Sequence, residues 1–270
     1  MRRDFLVGMG MLASVAVGTG SALAADIPVR PAPVAAPAAC CAVPDWVGFY
    51  VGIHGGGGWG RESFDSSEFF FFQNQVKMTD PIVPFFTSPN ASPKGGVFGF
   101  QFGHNWQWGP VVGGLEIDFS GADLKETTTF FSPVVPNTFF TRDKKIDELA
   151  SARGRLGYLI FPNWLLYGTA GIGWGHERIS TTGSFIPQGV LLAQASQNSE
   201  LNMFGWVAGV GLEWKFWPGS NSWLLRGEWL HYDFGRTSHF DPAAVLGLGL
   251  NNFNERLTVD VARAALSYKF

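Results

Sequence analysis

Histidine and serine are the residue types in this sequence that could form a catalytic base and its nucleophile. The five histidines are His54, His104, His176, His231 and His239. They are scattered, and no two have the spacing of a metal site. His104 lies on the apolar phase of its segment, whereas Ser120 and Ser151 lie on the polar phase of neighbouring segments. A nucleophile and its base must be within hydrogen-bond reach. These residues therefore predict no catalytic pair, no cofactor site and no enzyme.

Charged residues are the second group that could carry chemistry, because they recur on one phase of alternating segments. In 202–217, Phe204 and Trp206 belong to the apolar phase, while Glu213 and Lys215 belong to the other phase. Period two is typical of a strand with one apolar and one polar face. The polar phase carries Glu116, Asp118, Arg153, Arg155, Glu213, Lys215, Arg226, Glu228, Arg263 and Lys269. Both signs in neighbouring strands predict a charge network that fills a narrow lumen.

Composition limits the kind of protein that can position these side chains. The chain is 46% hydrophobic and 15% charged, with a mean hydropathy of +0.09. After residue 24 it has no run of about 18 apolar residues, the length expected of a membrane-spanning helix. An exported chain this apolar can protect its backbone from lipid in a closed barrel. The net charge of −3 gives no basic surface for nucleic acid.

The N-terminus indicates export. Residues 1–24 have two arginines, an apolar run and the small-residue site Ala22-Leu23-Ala24, the pattern of a signal peptide. Residues 25–45 are rich in proline and alanine and predict a periplasmic leader. This leader contains Cys40 and Cys41, whose spacing fits no metal site. A vicinal disulfide and a link to another chain both remain open.

Residues 46–270 predict an all-β domain, an eight-stranded antiparallel transmembrane β-barrel. The predicted strands are 46–60, 96–108, 110–121, 147–161, 163–177, 202–217, 222–235 and 256–270. Three connections are short, and the other four, 61–95, 122–146, 178–201 and 236–255, are long. Short turns at one end and long loops at the other are typical of outer-membrane barrels, with both termini in the periplasm.

The orientation of the faces follows from where the aromatic residues and glycines lie. The apolar phase has aromatic residues near strand ends, as an interfacial girdle would: Trp106, Trp108, Trp164, Trp214, Phe216 and Trp223. The polar phase is rich in glycine, which suits a narrow interior. The short connections then set the register. They predict Gln101 opposite Asp118, Gly103 opposite Glu116 and Glu213 opposite Arg226.

The last strand, ERLTVDVARAALSYKF, alternates to its end, with Tyr268 and Phe270 on the apolar phase. It is similar to the terminal strands of bacterial outer-membrane barrels. That resemblance implies that Tyr268 and Phe270 form the signal read by the barrel assembly machinery.

Several stretches together resemble the small eight-stranded outer-membrane barrels of alphaproteobacteria, labelled outer membrane immunogenic protein or porin family protein. They are AADIPVRPAP, WVGFYVGIHGGGGWG, FGFQFGHNWQWGPVVGGLEIDFSGA, ARGRLGYLI, LLYGTAGIGWG, GWVAGVGLEWKF, LLRGEWLHYDFG and ARAALSYKF. The resemblance implies an OmpA/OmpX-like barrel in the cell outer membrane, a surface antigen with exposed loops and no catalytic site.

The expected function is a structural and surface component of the outer membrane, in contact with its lipid. Its loops would contribute to envelope integrity and contact a host or ligand. Phenylalanine runs in the first long loop, SSEFFFFQNQ and IVPFF, are consistent with rim packing or with an interaction surface. A narrow diffusion channel is one alternative. A haem-binding receptor is another, for which His231 and His239 are the better placed histidines.

Overall fold

The structure, a computed structural model, describes residues 45–71, 76–78, 92–131, 138–185, 193–216, 221–241 and 251–270. Within these ranges the strands are β1 (Gly48–Phe71), β2 (Val76–Met78), β3 (Lys94–Trp108), β4 (Val111–Phe131), β5 (Thr138–Phe161), β6 (Trp164–Phe185), β7 (Ala193–Lys215), β8 (Ser222–Asp241) and β9 (Asn251–Lys269). None of the described segments is a helix long and apolar enough to cross a bilayer.

The eight long strands form one closed antiparallel sheet. Each pairs with the next in chain order, and β1 pairs with β9 from Tyr50↔Lys269 to Phe69↔Asn251. The short strand β2 pairs only with Phe69–Phe71 at the end of β1. The predicted fold, an eight-stranded antiparallel β-barrel, is confirmed.

The predicted register is also the observed one on both hairpins for which it was worked out. Gln101 pairs with Asp118, and Gly103 pairs with Glu116. Glu213 pairs with Arg226. The β3–β4 turn contains Gly109 at φ 60°, a left-handed conformation that favours glycine. A two-residue turn of this kind leaves little freedom for slippage, so the alternation on each strand determines its partner.

The strands are longer than the alternation predicts. Strand β4 continues to Phe131 rather than ending at 121, and β5 begins at Thr138 rather than 147. The predicted connections 122–146 and 178–201 are therefore mostly strand, which corrects their assignment as loops. Apolar–polar alternation is present only where one face of a strand contacts lipid, so it indicates only that part of the strand. Above that part the backbone ladder continues, and threonine and phenylalanine at 127–131 have high strand propensity.

The faces of the barrel are oriented as predicted. The outward side chains of Phe98, Leu115 and Trp206 are 66%, 59% and 51% exposed. Arg155 and Glu213 are 5% and 0% exposed inside the ring. At the short-turn end, outward aromatic rings stack, with 5.6 Å between the centroids of Trp164 and Trp214. Apolar side chains on the outside and ionised ones inside are the arrangement of a lipid-embedded barrel.

At the other end the sheet separates into two ribbons within the part of the chain that is described. Strands β7 and β8 pair only from Trp206↔Asp233 to Lys215↔Leu224, although both continue further. Above this level β7 remains paired with β6, and β8 remains paired with β9. On the opposite side β3 begins at Lys94, so β1 and β4 extend past it. One ribbon is therefore β8-β9-β1-β2 and the other is β4-β5-β6-β7.

Some predictions fall outside the described residues. They are the signal peptide, the leader to residue 44 with Cys40 and Cys41, the IVPFF run, and Phe72 at the end of the FFFF run. Of the five histidines, His239 is described only through its backbone in β8.

Candidate functional site

The lumen of the barrel is the candidate site, because it collects most of the charged residues predicted for it. Strand alternation turns every second side chain of β4, β5, β7, β8 and β9 inward. The structure brings together the carboxylates Glu116, Asp118, Glu213 and Glu228 and the guanidinium groups Arg153, Arg155, Arg226 and Arg263. All eight are buried. Four negative and four positive groups leave this set with no formal net charge.

Glu116 is the centre of the network. Its Oε1 lies 2.5 Å from Arg153 Nη2, and its Oε2 lies 2.5 Å from Arg226 Nη1. Arg155 and Arg263 are further away, at 3.8 and 3.9 Å. Ion pairs as short and well hydrogen-bonded as the first two can offset the large cost of removing a carboxylate from water.

The other three carboxylates connect the remaining arginines. Glu213 Oε2 lies 2.6 Å from Arg155 Nη2 and 3.0 Å from Arg226 Nη2. Glu228 Oε2 lies 2.7 Å from Arg263 Nη2. Asp118 contacts Arg153 and Arg263 at 3.0 Å each and accepts a hydrogen bond from Ser151. The Glu213–Arg155 and Asp118–Arg263 contacts join strands that are not neighbours, so they cross part of the lumen.

Two tyrosines that the sequence interpretation missed complete this network. Tyr50 donates its hydroxyl to Glu116 at 2.6 Å, and Tyr167 donates to Glu228 at 2.8 Å. The guanidinium of Arg155 lies over the Tyr167 ring, 4.1 Å from its centroid. Each tyrosine lies opposite a glycine on the neighbouring strand: Tyr50 opposite Gly103 and Tyr167 opposite Gly211. Glycine on the polar phase, next to a strand with a tyrosine on that phase, was the signal available in the sequence.

A second group that was missed surrounds His54 on β1. Its Nε2 lies 2.8 Å from Ser120 Oγ, and its Nδ1 lies 2.7 Å from Gln101 Oε1. Gln101 in turn donates to Ser267 at 2.9 Å. A histidine beside a serine can act as a base towards a nucleophile. Here both side chains are buried inside the barrel and belong to a chain of interior hydrogen bonds, so the arrangement fits a structural network.

His104 lies on the outside of the barrel. Its ring is 4.4 Å from the Phe49 ring and 4.5 Å from the Trp106 ring. Ser120 and Ser151 are buried on the inside. The predicted separation of His104 from both serines is therefore present, and these residues form no catalytic pair.

Apolar layers close the lumen on both sides of the charge network. Towards the short-turn end the buried residues are Trp46, Val112, Leu159, Leu165, Tyr167 and Leu224. Trp46 is fully buried there, and its backbone N–H donates to Gln107 Oε1 at 2.8 Å. Towards the opposite end lies a larger layer that includes Leu124, Ile146, Leu149, Leu230, Tyr232 and Phe234. The sequence interpretation expected charge alone to fill the interior and did not anticipate these layers.

Lys215 and Lys269, the other two predicted network residues, lie at the short-turn mouth. Lys215 Nζ donates to the Asp45 carbonyl at 2.9 Å, and Lys269 Nζ lies 3.8 Å from the Asp45 carboxylate. Beyond the apolar layer at the long-strand end, Lys144 pairs with Glu62 and, at 2.8 Å, with Glu177. The interior is therefore stratified into charged and apolar levels. Within the described ranges, no group of three or more His, Cys, Asp or Glu residues could hold a metal ion.

The closed ring, its apolar exterior and its ionic interior define a small outer-membrane β-barrel. Residues 15–270 match the family model described as outer membrane protein beta-barrel domain, and the chain belongs to this family. The 31 kDa outer-membrane immunogenic protein of Brucella melitensis is 29% identical over 265 residues, covering 96% of this chain and 98% of that protein. The 22 kDa outer membrane protein of Rhizobium leguminosarum is 33% identical over 113 residues, 41% of each chain. The protein is thus located in the cell outer membrane.

Two solved structures are similar to this chain over most of their own length. OprG from Pseudomonas aeruginosa has a TM-score of 0.44 and 11% identity, covering 83% of this chain and 97% of that chain. Ail, the attachment invasion locus protein of Yersinia pestis, has a TM-score of 0.35 and 12% identity, covering 82% and 99%.

Proposed function

We propose that this barrel is a non-conducting structural and surface protein of the outer membrane. Its role is to anchor long strands and their connections beyond the bilayer, which contributes to envelope integrity and to contact with a host or ligand. Its relatives are outer-membrane barrel proteins, one of them named immunogenic. The proposal that the barrel is structural and does not conduct is supported by the side chains that fill its lumen.

The filled lumen is the observation that carries the proposal. A conduit for ions needs a continuous hydrated path, as in wide porin barrels. Here the charge network spans the lumen, and an apolar layer lies on each side of it. The guanidinium and carboxylate groups are engaged with one another at 2.5–3.0 Å, so an ion that entered would have to displace these contacts. The geometry supports the narrow diffusion channel less well.

Planar-bilayer recording of the purified monomer tests the proposal. We expect no steady large conductance above the bare membrane at neutral pH and moderate salt. Heat-modifiable mobility of the same sample in gels establishes that the barrel is closed, so a silent bilayer cannot be attributed to unfolded protein. A steady, large conductance from folded monomers would contradict the proposal and favour the channel.

The polarity of the barrel in the membrane belongs to the same proposal. Strands β4 to β7 extend beyond the lipid-facing band at the end opposite the short turns. In outer-membrane barrels the short turns are periplasmic and the long connections are extracellular. We therefore place the long-strand end outside the cell and both ends of the barrel domain in the periplasm.

The assembly signal proposed for Tyr268 and Phe270 is compatible with their positions. Both lie at the short-turn end of the barrel, with a centroid distance of 6.4 Å between their rings. Phe270 is 54% exposed, and the Tyr268 ring is 5.2 Å from that of Trp223. An exposed Phe270 beside a half-buried Tyr268 at the periplasmic rim would be accessible to the barrel assembly machinery.

Haem capture has weaker support than the structural role. Among the four histidines with described side chains, His54 is inside the lumen and His104 faces lipid. His176 and His231 each contact an aspartate, at 2.7 and 2.8 Å. Absorbance titration of the folded barrel with hemin separates this alternative, because the structural proposal expects no specific spectral change.

A further inference from the structure

A row of cationic side chains crosses the outer surface of the long-strand end. The register pairs Lys94 with Lys125, Lys125 with Lys145, and Lys145 with Arg178. Arg178 then pairs with Glu200 on β7. Four positive groups therefore stand directly opposite one another on four adjacent strands, β3 to β6. Inward residues such as Ile146 and Glu177 are their chain neighbours, so the four side chains lie on the outer face.

Such a row costs stability on its own. Like charges directly opposite each other in a sheet are destabilising, with facing Cβ atoms only about 5 Å apart. The nearby acids compensate in part. Asp123 lies 2.9 Å from Lys125 Nζ and 3.1 Å from Lys145 Nζ, so one carboxylate serves two lysines. Arg178 Nε lies 3.2 Å from Asp147 and 3.4 Å from Glu200.

Lys94 has no ion-pair partner among the side chains that the structure describes, and it is exposed. The side chains of Lys125 and Arg178 are 62% and 56% exposed, and that of Lys145 is 39% exposed. The cations therefore remain accessible to an external anion. A groove of about 430 Å³ runs along this surface. Its lining includes Lys125, Lys145, Arg178, Ser180 and Asn198, together with the acids Glu126, Asp143 and Glu200.

The height of the row indicates which anion it meets. On β6 the outward aromatic band reaches Trp174, and Arg178 follows four residues later. With a rise of about 3.3 Å per residue and a tilt near 40°, the row lies roughly 10 Å above that aromatic level. Aromatic girdles mark the membrane interface, so the row is at the depth of the lipid headgroups rather than in the hydrocarbon or in bulk solvent.

We propose that Lys94, Lys125, Lys145 and Arg178 form a docking surface for the phosphorylated headgroup of a lipid in the surrounding leaflet. Each phosphate would lie between neighbouring cations and relieve their repulsion, while hydroxyl and amide groups of the groove bind headgroup sugars. This inference rests on the outer-membrane location and on the proposed polarity, which puts the row on the outer side of the membrane, and not on the proposed closure of the lumen.

Binding of lipid A to the full barrel in neutral micelles tests the proposal, with native mass spectrometry as the readout. The variant Lys125→Gln/Lys145→Gln removes the middle of the row. The charge-matched control Arg61→Gln/Arg236→Gln removes two exposed cations that lie off the row. Each cation near an anionic surface contributes about fivefold in affinity, so we expect about a twenty-five-fold loss for the first variant. For the control we expect a loss below about threefold, because its cations lie off the row.

Two further arms distinguish a phosphorylated lipid from free phosphate and from a general loss of stability. Dephosphorylated lipid A should bind weakly to both proteins, and inorganic phosphate at the same concentration should compete poorly. Stability in neutral phosphatidylcholine vesicles should be unchanged or higher for the row variant, because repulsion is removed. Equal losses in both double variants, equal binding of the dephosphorylated lipid, full competition by free phosphate, or destabilisation of the row variant in neutral lipid would each overturn the proposal.

Discussion

At the scale of single residues, Glu116 is the carboxylate whose loss should reduce the stability of the folded barrel most clearly. Its carboxylate contacts Arg153 and Arg226 at 2.5 Å and accepts the Tyr50 hydroxyl at 2.6 Å. Removing one member of a buried ionic group leaves its partners desolvated and unpaired. The cost of such a change therefore exceeds the value of any one contact, and it should be far larger inside the lumen than on the surface.

The variant Glu116→Gln tests this reasoning. It keeps the shape but leaves four guanidinium groups with three carboxylates, and we expect a loss of about 3 kcal/mol in the free energy of unfolding. Urea unfolding in lipid vesicles, followed by tryptophan fluorescence, measures it. Glu200→Gln is the control, because the Glu200 side chain is 67% exposed and its change should be within about 0.5 kcal/mol. Equal effects would mean that the lumen is hydrated and screens its charges.

The sequence predicted part of this interior, and the reason for the limit is topological. Arg226 could be placed opposite Glu213 because a short turn connects their strands. The phase of His54 and Tyr50 could be read from the sequence, but their partners could not be assigned, because β1 reaches β3 through the long connection 61–95 and reaches β9 only by closure of the ring. Trp46 was included in the predicted strand 46–60, but it lies before β1, which begins at Gly48, and its side chain packs inside the lumen.

At the scale of strands, glycine decides how closely the interior can pack. A Cβ at Gly211 on β7 would lie 2.3 Å from Tyr167 Oη. That hydroxyl donates to Glu228, and the ring supports Arg155. Glycine at this position thus lets a tyrosine from the adjacent strand lie across β7 and reach the charge network.

Two glycine-to-alanine variants separate this packing role from strand propensity. Gly211→Ala should lower the free energy of unfolding by about 1–3 kcal/mol, because it forces Tyr167 out of position. Gly227→Ala should be neutral or slightly stabilising, because no heavy atom lies within 4 Å of the added Cβ. Urea unfolding of both variants under the same conditions is the measurement. If both variants were destabilised by a similar amount, the cause would be a change in backbone preference and not the loss of Tyr167 packing.

At the scale of the whole molecule, the barrel is a closed cylinder in the membrane and two ribbons above it. The separation of β7 from β8 has a local cause. Strand β8 shifts register between Asp233 and Arg236, and Gly235 there has φ 71°. Asp233 accepts the Gly235 N–H at 2.9 Å and pairs with Arg256. A bulge of this kind bends its strand and increases the local twist, so β8 follows β9 and leaves β7.

Hydrogen exchange along β7 should therefore change pattern at Trp206. Below this residue every amide has a partner on β6 or β8, and we expect uniformly slow exchange. Between Ala193 and Gly205 only the amides facing β6 are paired within the described strands, so protection should alternate from one residue to the next. NMR of the barrel in micelles resolves the two patterns. Uniform protection up to Ala193 would contradict the prediction, because it would mean that another segment pairs with the upper edge of β7 and joins the ribbons.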